Sequence, residues 1–253
     1  MKVEFKGKTI LITGAAGYLG RELAREYAQS QAAGLVLMDQ EEKKGLLEEM
    51  REELALAVPT WIYTADLRKP GESHAVVEQM TREGIAVDIL VNNAGINRLV
   101  KAQEMTEEVW DSVLDTNLKG SFFLTREVAE ASLLRRGGNI VFLSSQHGVV
   151  GNLTRTAYCA SKTGLLGLVR ALVAEWSGLG IRVNSVAPTF ILNEANQEYL
   201  NHPHSIRTMR NKIPLHRYAT VEDVAHAVLF LTSDLAAMIN GHNLLVDGGY
   251  TVL

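Results

Sequence analysis

Cysteine is almost missing from this chain. A single cysteine, Cys159, in 253 residues excludes an intrachain disulfide and gives no sign of an oxidising compartment. A surplus of positive charge is missing too. The formal net charge is −4, with lysines and arginines scattered, which argues against a nucleic-acid or membrane-surface partner. No apolar run is long enough to span a bilayer, because Arg170 and Glu175 interrupt the longest candidate. The first residues hold no apolar stretch of signal-peptide length. Linkers, low-complexity tracts and internal repeats are also lacking. What is there is ordinary globular usage, 47% hydrophobic and 21% charged, enough for a sizeable core. One soluble, cytoplasmic domain spanning 1–253 is expected.

Short apolar runs alternate with helical spacing from end to end. Residues 9–13, 35–39, 61–63, 89–92, 140–144, 183–187 and 244–247 each read as a buried strand. Leu23, Ala24 and Tyr27 share one helix face, as do Val76, Val77 and Met80. Pro70 suits the first turn of the second of these helices. Thr106 before Glu107-Glu108, and Thr220 before Glu222-Asp223, read as N-caps with an acidic first turn. Strands alternating with helices predict an α/β fold, a parallel sheet covered on both faces. Trp110 and Trp176 fall on apolar helix faces and are expected in the core.

Residues 189–215 break the pattern. They are polar, carry Asn193, Asn196, His202 and His204, and exceed a normal connection. They read as a substrate lid over the carboxyl ends of the strands, with a surface helical excursion as the alternative. His202-Pro203-His204 has no Cys or acidic companion, so it reads as loop and no metal site is expected. Cys159 has no predicted base to make it a nucleophile.

Thr13-Gly14-Ala-Ala-Gly17-Tyr18-Leu19-Gly20 follows the first strand and opens a helix. Glycines there permit a tight turn and close approach of backbone to a pyrophosphate, whose charge meets the helix N-terminus. The spacing is G-x-x-G-x-x-G, not the usual G-x-G-x-x-G, and an ordinary Gly-rich turn is the alternative. Asp39 ends the second strand, where a carboxylate accepts hydrogen bonds from adenosine ribose hydroxyls. It would repel a 2′-phosphate, and no Arg stands at positions 15, 16 or 40 to welcome one. NAD is therefore the expected cofactor. Lys43 and Lys44 read as a solvated helix face, with assistance to NADP as the alternative.

Tyr158-Cys-Ala-Ser-Lys162 places a phenol and an ammonium four residues apart on one helix face. A nearby ammonium favours the phenolate, so the tyrosine pKa is expected to fall from about 10 toward the working pH. Such a group can take a proton from an alcohol or return it to a carbonyl.

With Thr13–Gly20, Asp66-Leu67, Asn92–Gly95, Asn117, Ser145, the Tyr158-x-x-x-Lys162 pair, Asn184, Pro188 and the Asp247-Gly248-Gly249 ending, the chain resembles the short-chain dehydrogenase/reductase superfamily from Lys8 to Tyr250. The resemblance implies a doubly wound, Rossmann-type sheet of about seven strands, a nicotinamide cofactor and a homo-oligomer, with a tetramer favoured. It implies that Asp66 and Leu67 flank the adenine, that Asn93, Ala94 and Gly95 line the adenosine side, and that Pro188 and Ile191 meet the nicotinamide end. Two departures stand out. Tyr18 holds the position of the family's usual middle glycine, with Gly17 one residue earlier. Thr189 and Asn193 stand where Gly and Thr are common.

On the same resemblance Tyr158 is the general acid/base, and Lys162 lowers its pKa and holds the nicotinamide ribose. Ser145 hydrogen-bonds the substrate oxygen. Asn117, mid-helix, binds a water leading from Lys162 to solvent. The implied activity is NAD(H)-dependent interconversion of a secondary alcohol and a ketone. Gln146, His147, Asn152, Arg155 and Arg98 lie near the predicted pocket mouth, which suits a polyol, sugar or sugar acid. Arg155 and Arg98 read equally as surface or interface residues. The rivals are a 3-oxoacyl-thioester (acyl carrier protein) reductase and a catalytically silent dinucleotide-binding sensor.

Overall fold

Runs rich in Ile, Leu and Val are buried on both faces only inside a covered parallel sheet, and that is where they lie. In the computed structural model residues 3–252 are described; Met1, Lys2 and Leu253, ends of the expected 1–253 span, lie outside the described residues. The strands are β1 (Thr9–Thr13), β2 (Gly34–Asp39), β3 (Thr60–Thr64), β4 (Ile89–Asn92), β5 (Gly138–Leu143), β6 (Ile181–Pro188) and β7 (Asn243–Val246). They form one parallel sheet in the order β3-β2-β1-β4-β5-β6-β7. The helices are α1 (Tyr18–Gln29), α2 (Lys44–Leu54), α3 (Pro70–Arg82), α4 (Glu107–Leu114), α5 (Ser121–Val128), α6 (Leu134–Arg136), α7 (Thr156–Trp176), α8 (Gln197–Asn201), α9 (Pro203–Thr208) and α10 (Val221–Thr232).

The two-residue period of the strands divides the core. Ile10 and Ile12 of β1 point to one face, with Leu23 and Tyr27 of α1, Leu47 of α2 and Val224 and Val228 of α10. Leu11 points to the other, with Met80 of α3, Leu124 of α5 and Leu165 of α7. Each fully buried Leu or Ile contributes about 1.5–3 kcal/mol. Leu11→Ala would cost about 2–5 kcal/mol, since the site is sealed on every side.

Caps fix the helix starts. Pro70 opens α3, Thr106 accepts the Val109 amide, and Thr220 and Asp223 form a reciprocal capping box on α10. Ser144 and Asp247, expected as strand ends, lie just past β5 and β7. The Asp247 carboxylate instead accepts the Gly249 and Thr251 amides, both at 2.9 Å, and turns the chain. Trp110 corrects another expectation. It is 37% exposed on α4, whereas Trp176 packs against the core. β1 and β4 are neighbours whose connections leave in opposite directions, and such a switch point opens a crevice at the carboxyl ends.

Candidate active site

The crevice is built by backbone contact. Gly14 holds φ +63°, and a Cβ there would lie 2.9 Å from the Ala94 Cα. Thr13 Oγ1 accepts the amides of Asn93 and Ala94, both at 3.0 Å, and Asn93 Nδ2 donates to the carbonyls of Thr13 and Gly14, both at 3.0 Å. The loops after β1 and β4 are thereby stitched together. Gly20 sits beneath the turn.

A cleft of about 650 Å³ opens over this seam. Gly14, Gly17, Tyr18 and Leu19 line it from the turn and the start of α1. Asp39 lines it from the last position of β2, Leu67 from beyond β3, and Asn93, Ala94 and Gly95 from beyond β4. Ile191 and Asn193 contribute from the segment after β6. Five expected residues do not line it: Tyr158 and Lys162, which stand in an adjoining group, and Gly20, Asp66 and Pro188. Gly20 is packed under the turn, Asp66 pairs with the Arg68 guanidinium at 2.7 Å, and Pro188 is buried at the end of β6. Lys43, read as a solvated helix face with assistance to NADP as the alternative, does line it, as does Arg21, which no motif marked.

The cleft suits an anionic dinucleotide. Gly17 caps α1 without a side chain and the first turn carries no acidic residue, so the positive helix end and its first N–H groups are left for a ligand. A Cβ on Gly17 would meet one protein atom, the Gly14 carbonyl oxygen at 3.3 Å; the space it would fill belongs to the cleft. Asp39 is oriented by the amides of Ala16 (3.0 Å) and Gln40 (2.8 Å), leaving further lone pairs for hydroxyl donors.

A second group of residues abuts the first through Gly95. A Cβ on Gly95 would lie 3.2 Å from Lys162 Nζ and 3.3 Å from Asn117 Oδ1. Lys162 is 4% exposed, donates to the Leu143 carbonyl at 2.6 Å, and stands over the Tyr158 ring 5.6 Å from its centroid. Burial pushes its pKa down to about 8. Ser145, just past β5, accepts the His147 amide at 3.1 Å, and its hydroxyl acts on the Tyr158 phenol to favour the phenolate.

The Tyr158 pKa corrects the sequence expectation. Burial raises it above the ordinary phenol value, while the Ser145 hydroxyl and the Arg155 charge oppose the rise. The Lys162 ammonium is held at a backbone carbonyl, and desolvation wins.

Asn117 is also placed differently. It lies in a wider π-helical turn, Asp115–Gly120, between α4 and α5. Its Oδ1 accepts the Ile96 amide at 2.8 Å, and its Nδ2 donates to the Ile96 carbonyl at 2.9 Å and to Ser161 Oγ at 3.0 Å. Ser161 Oγ in turn donates to the Tyr158 carbonyl at 2.8 Å. Both side-chain N–H groups are committed, so the Asn117 side chain clasps the β4 loop to α7.

Beyond Tyr158 the surroundings are aromatic and polar. The His147 ring meets Tyr158 edge-on at 6.4 Å and Phe190 at 5.8 Å, and Phe190 meets Tyr250 at 6.1 Å. Burial first, then the Arg155 charge, pushes the His147 pKa down to about 4, so the ring is neutral near pH 7. Phe190 and Tyr250 had no motif to mark them; only the fold brings them together. Asn152 Nδ2 lies 3.4 Å from His147 Nε2, and Arg98 is exposed. The 197–212 stretch forms α8, α9 and a 3₁₀ turn over a small core of Leu200, Ile213 and Tyr218.

Comparison with known proteins places this geometry in context. A family model described as Enoyl-(Acyl carrier protein) reductase matches residues 14–251. A D-threitol dehydrogenase of Mycolicibacterium smegmatis is 36% identical over 247 residues, 97% of this chain and 94% of that protein. An NAD-dependent glycerol dehydrogenase of Listeria innocua is 34% identical over 245 residues, 97% of this chain and 94% of that protein. The crystal structure of a gluconate 5-dehydrogenase from Burkholderia cenocepacia in complex with NADP and tartrate superposes with a TM-score of 0.90 at 29% identity, covering 100% of this chain and 98% of that one.

Proposed function

This chain belongs to the short-chain dehydrogenase/reductase family, and on that premise we propose that it is an NAD-dependent dehydrogenase of polyols, sugars or sugar acids, acting at a secondary hydroxyl. It is an oxidoreductase of CH–OH groups that uses a nicotinamide cofactor. One observation carries the reading: Gly95 lines the dinucleotide-shaped cleft and abuts Lys162 and Asn117 so closely that a Cβ there would come within 3.2 Å of the Lys162 ammonium, which joins the cleft to the Ser145–Tyr158–Lys162 cluster.

Gly17, the start of α1 and Asp39 would hold the cofactor, which when bound supplies the hydride acceptor or donor. Tyr158 takes the proton from the substrate hydroxyl during oxidation and returns it during reduction. Ser145, beside the phenol, orients the substrate oxygen and steadies charge developing on it. Lys162 supplies a buried positive charge beside the ring, fixed by the Leu143 carbonyl. Asn117 keeps the β4 loop and α7 in register. Residues 189–215 act as the lid, Ile191 and Asn193 already lining the cleft. A homotetramer is the expectation from the family resemblance, and a cytoplasmic location that from composition.

Asp39 supports NAD over NADP by charge. The relative named as NAD-dependent agrees, although the Burkholderia structure holds NADP. Gln146, His147, Asn152 and Arg155 favour a polar substrate over an acyl-carrier-protein thioester, whose chain needs an apolar wall. A silent sensor would have no need of Ser145, Tyr158, Lys162 and Asn117 together. The test is a cofactor-reduction screen over polyols, sugars and hydroxy acids, with a 3-oxoacyl thioester run in the reductive direction. Turnover confined to the thioester, or none at all, would contradict the reading.

A further inference from the structure

Arg155 has a charge with nothing to answer it. It occupies the N-cap position of α7, one turn before Tyr158, and its backbone is pinned. Arg155 bridges to Val100, the Val100 amide donates to the Thr154 carbonyl at 3.0 Å, and the Arg155 carbonyl accepts the Cys159 amide at 2.7 Å. Its side chain is not splayed into solvent. Its Nε is buried without a partner, and among the described residues no carboxylate pairs with it. A buried guanidinium nitrogen without an acceptor is costly, and a carboxylate answers it in two-pronged fashion.

Its surroundings point to where that carboxylate comes from. The Arg155 charge is felt at His147, at Tyr158 and at Tyr250, which belong to the ring series Tyr158–His147–Phe190–Tyr250 beside the reacting phenol. His147 is neutral near pH 7 and offers no competing cation. Gln146 Oε1, His147 Nδ1 and Thr189 Oγ1 are also buried and without partners, a set suited to hydroxyl groups. One unanswered cation thus accompanies several unanswered polar atoms, on His147 beside Tyr158 and on Gln146 and Thr189, the chain neighbours of His147 and Phe190.

We propose that Arg155 binds the carboxylate of an acidic polyhydroxy substrate and so selects aldonic and related hydroxy acids over neutral polyols. This rests on the reading of the site as a polyol, sugar or sugar-acid dehydrogenase, and it narrows that reading to the acid.

The test compares D-gluconate with its uncharged counterparts D-gluconamide and D-glucitol, and D-threonate with D-threitol, on the wild-type enzyme and on Arg155→Met and Arg155→Lys. A charge-assisted bond of this kind is worth about tenfold or more in kcat/KM. The wild type should prefer each acid to its neutral partner by at least that factor. Arg155→Met should lose the preference, chiefly through KM for the acid, and Arg155→Lys should restore part of it. An unchanged acid-to-neutral ratio in Arg155→Met, or equal losses on both members of a pair, would overturn the assignment. Should Arg155→Met not fold, the wild-type pairs decide: gluconamide used as well as gluconate overturns it. Turnover of neutral polyols without preference for acids removes Arg155 and leaves the broader reading standing. Turnover of none of these compounds removes both.

Discussion

A Cβ on Gly20 would lie 2.3 Å from the carbonyl oxygen of Gly14, so the start of α1 rests backbone against backbone on the turn after β1. Gly17, between them, has no comparable packing reason to be glycine. The two positions should therefore fail differently. Gly20→Ala should lower the thermal midpoint by several degrees, since relieving such a clash costs about 1–3 kcal/mol. Gly17→Ala should change stability by under about 1 kcal/mol yet weaken NAD binding about tenfold or more in calorimetric titration. NAD binding to Gly17→Ala with wild-type affinity would place the pyrophosphate elsewhere.

Asp39 has two duties, and Asn separates them. Its carboxylate accepts the amides of Ala16 and Gln40, and it also presents negative charge to the cleft. Asp39→Asn keeps an acceptor but removes the charge. Wild-type kcat/KM should favour NAD over NADP, and the variant should shrink that ratio about tenfold or more. Equal use of both cofactors by the wild type would refute the charge argument, and would give Lys43 and Arg21 on the same cleft a part in phosphate binding.

His147 makes stability depend on pH in a definite direction. An unfolded imidazole takes a proton near 6.5, whereas burial holds the folded group near 4. Between those values the unfolded chain binds more protons, so stability falls as pH falls through the window and the contribution is level above it. The full effect is on the order of 3 kcal/mol. Denaturant midpoints at about pH 7 and about pH 4.5 should differ less for His147→Gln than for the wild type. An identical difference in both proteins would show that the ring is not held neutral.

Much of this was legible in the chain because it is local. Each strand is an apolar run bounded by polar or turn residues, and periodicity finds it to within two residues at either end. Tyr158 and Lys162 are one helical turn apart, so spacing alone aligns them. The failures come from environment. That Trp110 faces outward, and that Asp66 turns to Arg68, depends on what packs nearby. The direction of the Tyr158 shift depends on desolvation against the reach of Lys162, and no spacing rule contains either quantity. The His147–Phe190 and Phe190–Tyr250 contacts join residues dozens of positions apart, far beyond the reach of any local pattern. The π-helical turn at Asn117 has no sequence signature of its own.

The role of Tyr158 is tested most directly by Tyr158→Phe, assayed by reduction of NAD with a substrate found in the screen, alongside calorimetric NAD binding. The ring and its packing against Lys162 and His147 are kept; the ionisable oxygen alone is lost. Turnover should fall by about 10²–10⁴-fold, with NAD affinity and the thermal midpoint close to wild type. Retention of more than about a tenth of wild-type kcat by a variant that still binds NAD would contradict the assignment of Tyr158 as the acid/base.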